Sequence, residues 1–287
     1  MYDITIIGAG PAGISASLYA KRANLNVLVL YHGDSNLEGA AIIENYYGFS
    51  DGISGKDLYN NGIKQAKNIG VDVKNKEVLG IENTGDAFNI KTEDEIFETK
   101  ALIFATGNKK VKPNIKGIKE FEGRGISYCA ICDAFFFKGK NVVVIGNGKY
   151  AVNESKELAH VANKVTILTN GLEKPICDFE INTKKIKEIK GETKASEVEF
   201  EDGTNLQIDG VFVALGEAGA GDFAKTLGIL QDGDNIITNE KMETNVEGIY
   251  ACGNITGGLL QVCKAVYEGA EAGLAAVNFV RTKTKNI

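Results

Sequence analysis

The chain has 287 residues, 44% of them hydrophobic and 24% charged, a composition for two globular domains and not for a disordered polymer. A formal charge of -6 argues against nucleic acid as a main partner, and no apolar run reaches the roughly 18–20 residues of a membrane span. Five cysteines, one close pair and three scattered, fit a cytoplasmic protein better than a secreted disulfide framework, and two histidines leave little for a His-based metal site.

In chain order, MYDITIIGAG opens on a strand and lacks the basic leader of a signal peptide. The segment Ile4 to Leu30 reads as a buried strand, a tight glycine turn, a helix and a second buried strand. Its turn, GAGPAG, is a full G-x-G-x-x-G. Gly8 makes the turn, Gly10 lets backbone N–H groups approach a pyrophosphate, and Gly13 lets helix and strand pack closely. Pro11 and Ala12 complete the turn. The acid that usually follows the second strand is replaced by Tyr31-His32-Gly33-Asp34.

ALIFATG, residues 101–107, is a later strand running into glycine, and KVKPNIKGI after it reads as a crossover linker. SYCAICDAFFF, residues 127–137, places Cys129 and Cys132 at C-x-x-C spacing with Asp133 directly after them. That spacing suits a cycling disulfide, and Asp133 is a candidate acid for a departing thiolate. A zinc half-site and two buried thiols are the alternatives, but zinc normally takes four ligands and no second C-x-x-C exists.

Val142 to Leu168 then repeats Ile4 to Leu30 without a gap: Gly146 matches Gly8, Gly148 matches Gly10, Ala151 matches Gly13 and Leu168 matches Leu30. The fold expected is therefore α/β, with two dinucleotide-binding, Rossmann-like, three-layer domains, the second inserted in the first. GVFVALG (210–216) and GIYACGN (248–254) read as closing strands, and METNVEG as the second linker. These boundaries place one domain at 1–112 plus 245–287 and the other at 113–244. A last helix is expected from about Lys264 to Val280, with the polar RTKTKNI tail fraying.

GAGPAG, ENYYG (44–48), ATG (105–107), CAICD (129–133) and GIYACGN together resemble the low-molecular-weight thioredoxin reductases, in order and spacing, over nearly the whole chain. The resemblance implies a homodimeric FAD enzyme acting on thioredoxin, with Cys132 facing the flavin, Cys129 exchanging with thioredoxin and Asp133 donating the proton. It implies FAD contacts from the glycine turn and from Tyr31, His32, Glu38, Asn45, Thr106, Gly107, Gly253, Asn254, Gln261 and Val262. Two positions depart from the family: its Gly-Asp falls on Gly253-Asn254, and its Arg-Gln on Leu260-Gln261.

The second glycine turn departs further. GNGKYA puts Lys149 and Tyr150 where small polar residues usually open the helix, and the family's His-Arg-Arg run falls on Leu168-Thr169-Asn170. No arginine occurs between Gly125 and Arg281, so the bidentate fork that suits a 2′-phosphate is missing. An NADH-type acid at the strand end is missing too; Glu173 is the nearest and falls in the loop. The sequence is most similar to a subgroup that lacks these motifs, the ferredoxin-dependent flavin thioredoxin reductases. That similarity implies electrons from ferredoxin and no pyridine nucleotide. An NAD(P)H enzyme with an atypical site and a non-turnover redox sensor are the alternatives. Because ferredoxins are acidic, docking would need a basic patch; Lys109, Lys110, Lys112, Lys116 and Lys119 form one candidate, and Lys184, Lys185, Lys187 and Lys190 another.

Overall fold

The computed structural model describes residues 1–33, 35, 37, 40–107, 113–128, 130–215 and 220–285. The elements run β1 (Tyr2–Ile7), α1 (Pro11–Arg22), β2 (Val27–Tyr31), α2 (Gly55–Asn68), β3 (Asp72–Asn75), β4 (Gly80–Asn83), β5 (Phe88–Lys91) and β6 (Ile96–Phe104). After these come β7 (Ile126–Ser127), α3 (Ala130–Asp133), β8 (Asn141–Ile145), α4 (Lys149–Ala159), β9 (Lys164–Leu168) and β10 (Glu180–Asn182). The chain continues through β11 (Ile186–Gly191), β12 (Ala195–Phe200), β13 (Asn205–Gln207) and β14 (Gly210–Val213). It ends with α5 (Ala220–Thr226), β15 (Gln231–Asp232), β16 (Asn235–Ile236), β17 (Ile249–Ala251) and α6 (Val262–Lys285). No helix among the described residues is long and apolar enough to cross a membrane.

Two compact units result, Met1–Lys109 with Gly219–Ile287, and Lys110–Ala218. The first is built on a parallel core, β3-β2-β1-β6-β17, extended by the antiparallel strands β5 and β4. β2, β17 and the Ala101–Phe104 end of β6 are apolar because both faces are covered there, whereas the edge strand β3 reads Asp-Val-Lys-Asn. Ile4, Ile6, Val27, Val29, Ala101 and Ile103 face one core, with Ala12, Ala16, Ala272 and Ala276 from α1 and α6. On the alternate residues Leu28, Leu30, Leu102 and Phe104 are fully buried, and Phe104 stacks on Phe223 of α5 at 6.2 Å. Small residues let α1 and α6 approach closely: a Cβ on Gly269 would lie 2.1 Å from the Ala12 carbonyl oxygen, and one on Gly273 2.6 Å from that of Ala16.

The second unit has a five-stranded, all-parallel sheet, β10-β9-β8-β14-β7. Val143, Ile145, Leu168, Val211 and Val213 face the antiparallel sheet β11-β12-β13 through Ile189, Val198 and Phe200. Val142, Val144, Val165 and Phe212 face α4 and the segment after β7, through Tyr150, Leu158, Ala130 and Phe137. The third layer of this unit is that antiparallel sheet.

Two expectations are corrected. Residues 220–244, placed with the central domain on sequence, belong to the first unit. Phe223 stacks on Phe104, and the Asn245 carboxamide ties the segment down by accepting from Leu230 N at 2.8 Å and donating to Gly228 O at 2.9 Å. The expected linker at METNVEG is thus internal to this unit. The last helix does not fray at Arg281 but continues to Lys285. Arg281 donates to Ala23 O at 3.0 Å, and the Lys283 ammonium sits over the Phe279 ring.

Candidate functional site

The two glycine turns share one backbone. Gly8 N donates to Leu30 O at 2.8 Å, and Gly146 N to Leu168 O at 3.0 Å. Ala105 N donates to Ile7 O at 2.8 Å, and Ala214 N to Ile145 O at 2.9 Å. A Cβ on Gly8 would lie 2.3 Å from the Ala105 carbonyl oxygen; one on Gly146 would lie 2.1 Å from that of Ala214. Each glycine is demanded by the strand that closes behind it.

In the first unit the surroundings of the turn fit an anionic ligand. Neither Gly10 nor any other side chain caps α1, so the first N–H groups of the helix have no intrahelical acceptor. A Cβ on Gly10 would meet nothing within 4 Å, whereas one on Gly13 would lie 1.9 Å from Gly8 O. The open face at Gly10 and the closed faces at Gly8 and Gly13 suit a pyrophosphate such as that of FAD. Pro11 and Ala12 form the first turn of α1. Thr106 and Gly107 follow β6, and Gly253 and Asn254 follow β17, so both pairs sit at carboxyl ends of parallel strands beside the turn. Asn45 and Gln261, far apart in sequence, meet: Asn45 Nδ2 donates to Gln261 Oε1 at 3.0 Å. Val262 is the first residue of α6. Tyr31 ends β2 with its ring edge-on to Tyr59, and His32 is exposed beyond it. Glu38 lies outside the described residues.

A cluster that sequence reasoning missed holds Gly253. Glu268 is buried, and its Oε2 accepts from Gly253 N at 2.8 Å and Thr256 Oγ1 at 2.9 Å and pairs with Lys264 Nζ at 3.1 Å. Lys264 also donates to Gly253 O, Thr256 Oγ1 and Gly257 O. Every donor of that ammonium is thus directed at the turn. The only sequence trace was an i,i+4 Lys–Glu pair in the last helix. Burial, and secondarily the Glu268 charge, push the neighbouring Cys252 thiol far above the ordinary range, so Cys252 is an inert core thiol.

In the second unit the polar side chains at the end of β9 are engaged by the backbone. Thr169 is 0% exposed and its hydroxyl donates to Leu172 O at 2.8 Å. Asn170 adopts a left-handed φ of 51° and its Oδ1 accepts from Ile186 N at 2.7 Å. Tyr150 is buried at the mouth of α4, its hydroxyl donating to Tyr128 O at 3.4 Å.

The redox segment lies on the same face of the sheet as α4. Cys129 lies outside the described residues; Cys132 falls in α3, its side chain outside the described part. Asp133 ends α3, and Ser127 Oγ donates to Asp133 Oδ2 at 2.6 Å. Glu154, a buried side chain of α4, accepts from Ala130 N at 2.6 Å. Phe137 packs into the core against Phe212, while Phe135 and Phe136, 79% and 67% exposed, stand beside the redox helix as an apolar face. Ser127, Glu154, Phe135 and Phe136 were not singled out from sequence.

The second lysine cluster is not a free basic patch. Lys184 pairs with Asp202 at 2.8 Å, and Lys187 and Lys190 pair with Glu199 at 2.8 and 2.6 Å. In the first cluster Lys116 pairs with Glu188 at 2.8 Å, and Lys109, Lys110 and Lys112 lie outside the described residues.

The model of a family described as pyridine nucleotide-disulphide oxidoreductase matches residues 2–269. The thioredoxin reductase of Bacillus subtilis strain 168 is 34% identical, the match covering 98% of this chain and 95% of that protein. The crystal structure of the atypical thioredoxin reductase TRi from Desulfovibrio vulgaris Hildenborough is similar with a TM-score of 0.94, at 36% identity over 98% of this chain and 99% of that one. A ferredoxin-flavin thioredoxin reductase from Clostridium acetobutylicum is similar with a TM-score of 0.76, at 37% identity over 98% of each chain.

Proposed function

This chain belongs to the pyridine nucleotide-disulphide oxidoreductase family, as an FAD-binding disulfide reductase of the thioredoxin reductase type, and we propose that its electrons come from ferredoxin. The observation that carries this reading is the closed end of β9. The Thr169 hydroxyl and the Asn170 carbonyl, the polar groups at the ribose-reading position, are both spent on the backbone. No arginine of the second unit beyond Arg124 can grip a 2′-phosphate. The likeness to the Clostridium acetobutylicum protein, whose description couples ferredoxin and flavin, supports the same donor. Bound FAD supplies the conversion between one-electron delivery and two-electron disulfide chemistry.

The residues divide the work as follows. The Gly8–Gly13 turn and α1 bind the pyrophosphate; Tyr31, His32, Glu38, Asn45, Thr106, Gly107, Gly253, Asn254, Gln261 and Val262 line the rest of the cofactor site. The Cys129 thiolate attacks a thioredoxin disulfide sulfur, forming a mixed disulfide and expelling a thioredoxin thiolate, which takes a proton from Asp133. Cys132 then attacks the Cys129 sulfur, restoring the internal disulfide and releasing the second thioredoxin thiol once protonated. The pair loses two electrons and thioredoxin gains two electrons and two protons. Ser127 orients the Asp133 carboxyl for this step. Phe135 and Phe136 offer thioredoxin an apolar face beside the pair.

A homodimer is part of this reading. Leu260, Tyr267 and Leu274 recur every seven residues and are 58%, 60% and 45% exposed, an apolar stripe suited to a second copy. Thiol chemistry of this kind needs a reducing compartment, which supports a cytoplasmic location.

The test is anaerobic mixing of the purified protein with reduced ferredoxin, NADPH or NADH while flavin absorbance is followed, then assay of thioredoxin thiols. Bleaching by ferredoxin followed by thiol production is expected. Rapid bleaching by NADPH would instead establish the second reading, an NAD(P)H enzyme, which the intact backbone of the Gly146–Gly148 turn favours.

A further inference from the structure

The first two turns of α1 and α4 occupy matching positions of the repeat but meet different neighbours. In α1, Ala12 and Ala16 are small and lie under Gly269 and Gly273 of α6. In α4 the same two positions hold Tyr150 and Glu154, one helical turn apart on one buried face. Both reach the redox segment, Tyr150 at Tyr128 O and Glu154 at Ala130 N. The helix face that admits another helix in the first unit grips the segment around the cysteines in the second.

Glu154 is the unusual member. A carboxylate is rarely this buried without a partner, and its Oε2 takes the N–H of Ala130, the residue directly after Cys129. Backbone N–H groups at the start of a C-x-x-C helix are donors that lower a cysteine's pKa by stabilising its thiolate. A carboxylate on that N–H removes the donor and adds a like charge within a few bonds of Cys129. Both effects disfavour the thiolate. Couples whose reduced form is stabilised are oxidising; couples without that stabilisation are reducing. Besides the two cysteines, the other ionisable side chains on α4 and on residues 127–133 are Tyr128, Asp133, Lys149, Tyr150, Lys156 and Glu157.

We propose that Glu154 is a positioning residue that occupies the Ala130 N–H and thereby keeps the cysteine pair strongly reducing, poised to give electrons to an acceptor disulfide. The proposal rests on the reading of Cys129 and Cys132 as the redox pair. It assigns the retained helix of the second unit a task that needs no nucleotide.

The test compares wild type, Glu154→Gln and Glu154→Ala as FAD-loaded full-length proteins. Gln keeps an acceptor for Ala130 N but has no charge; Ala has neither. Each protein is equilibrated in dithiothreitol redox buffers, and alkylation of Cys129 and Cys132 is read by mass spectrometry. The dithiol fraction at fixed buffer ratio should rise in the order wild type, Gln, Ala. The Ala variant's dithiol-to-disulfide ratio should shift about tenfold, the scale of one hydrogen bond to a charged group. The alkylation rate at neutral pH should rise in the same order. Equal ratios and rates in wild type and the isosteric Gln variant, which keeps the fold if Ala does not, would overturn the proposal. If Cys129 and Cys132 of wild type never form a disulfide, the functional reading itself fails, a distinct outcome.

Discussion

The two glycine turns have the same backbone and opposite surroundings. Neither α1 nor α4 has a side-chain cap, but in the first unit the turn is left open: Gly10 faces empty space and a Lys264–Glu268 pair pins the neighbouring Gly253. In the second the strand end is filled from within: Thr169 and Asn170 are bonded to the backbone and Tyr150 is folded into the core. A dinucleotide-binding fold is thus a scaffold whose ligand site is decided by whether its polar groups stay available.

The comparison breaks most sharply at Gly8. Gly8→Ala puts a methyl 2.3 Å from a backbone oxygen at a φ of 113°, and the expected result is loss of bound flavin, read from visible absorbance. Retained stoichiometric flavin would mean that the turn is not what holds it. Next is Glu268→Ala, which strands the Lys264 ammonium in a site with 15% side-chain exposure. Breaking a buried pair from one side costs about 3–5 kcal/mol, so a lower denaturation midpoint and weaker flavin retention are expected together.

Asn170→Ala sharpens the contrast from the other unit. It removes the acceptor of Ile186 N and places Ala at positive φ, a loss of about 1–3 kcal/mol in stability, while flavin content stays at wild type. A drop in flavin content would count against the independence of the two turns. The smallest effect belongs to Glu199. Hydrogen bonds from Lys187 and Lys190 hold its pKa at about 2, below the ordinary 4.5. A lowered carboxylate pKa contributes stability above pH 4.5 that is lost as the pH falls towards 2. Since both lysines are solvent-exposed, the difference between wild type and Glu199→Gln should be small at neutral pH, weaker in high salt and absent at the acid end.

Much of this was legible in the chain. The gapless repeat, the apolar strands and the glycines are local signals, because turn geometry and strand periodicity depend on residues close in sequence. The lysines in and just before β11 show the limit: offered as one candidate basic patch, Lys184 pairs with Asp202 and Lys187 and Lys190 with Glu199, partners known only from strand register and the turn after β12. The return of residues 220–244 to the first unit was hidden for the same reason, since it hangs on Phe223 meeting Phe104 and on the Asn245 carboxamide.

The sequence by itself determined two dinucleotide-binding folds, one complete glycine turn and a C-x-x-C pair followed by an acid. Only the tertiary structure decided where the polar groups of the second unit spend their hydrogen bonds. A threonine, an asparagine or a buried glutamate can serve a ligand or the backbone equally well. The choice falls to whichever donor or acceptor the folded chain brings within about 3 Å.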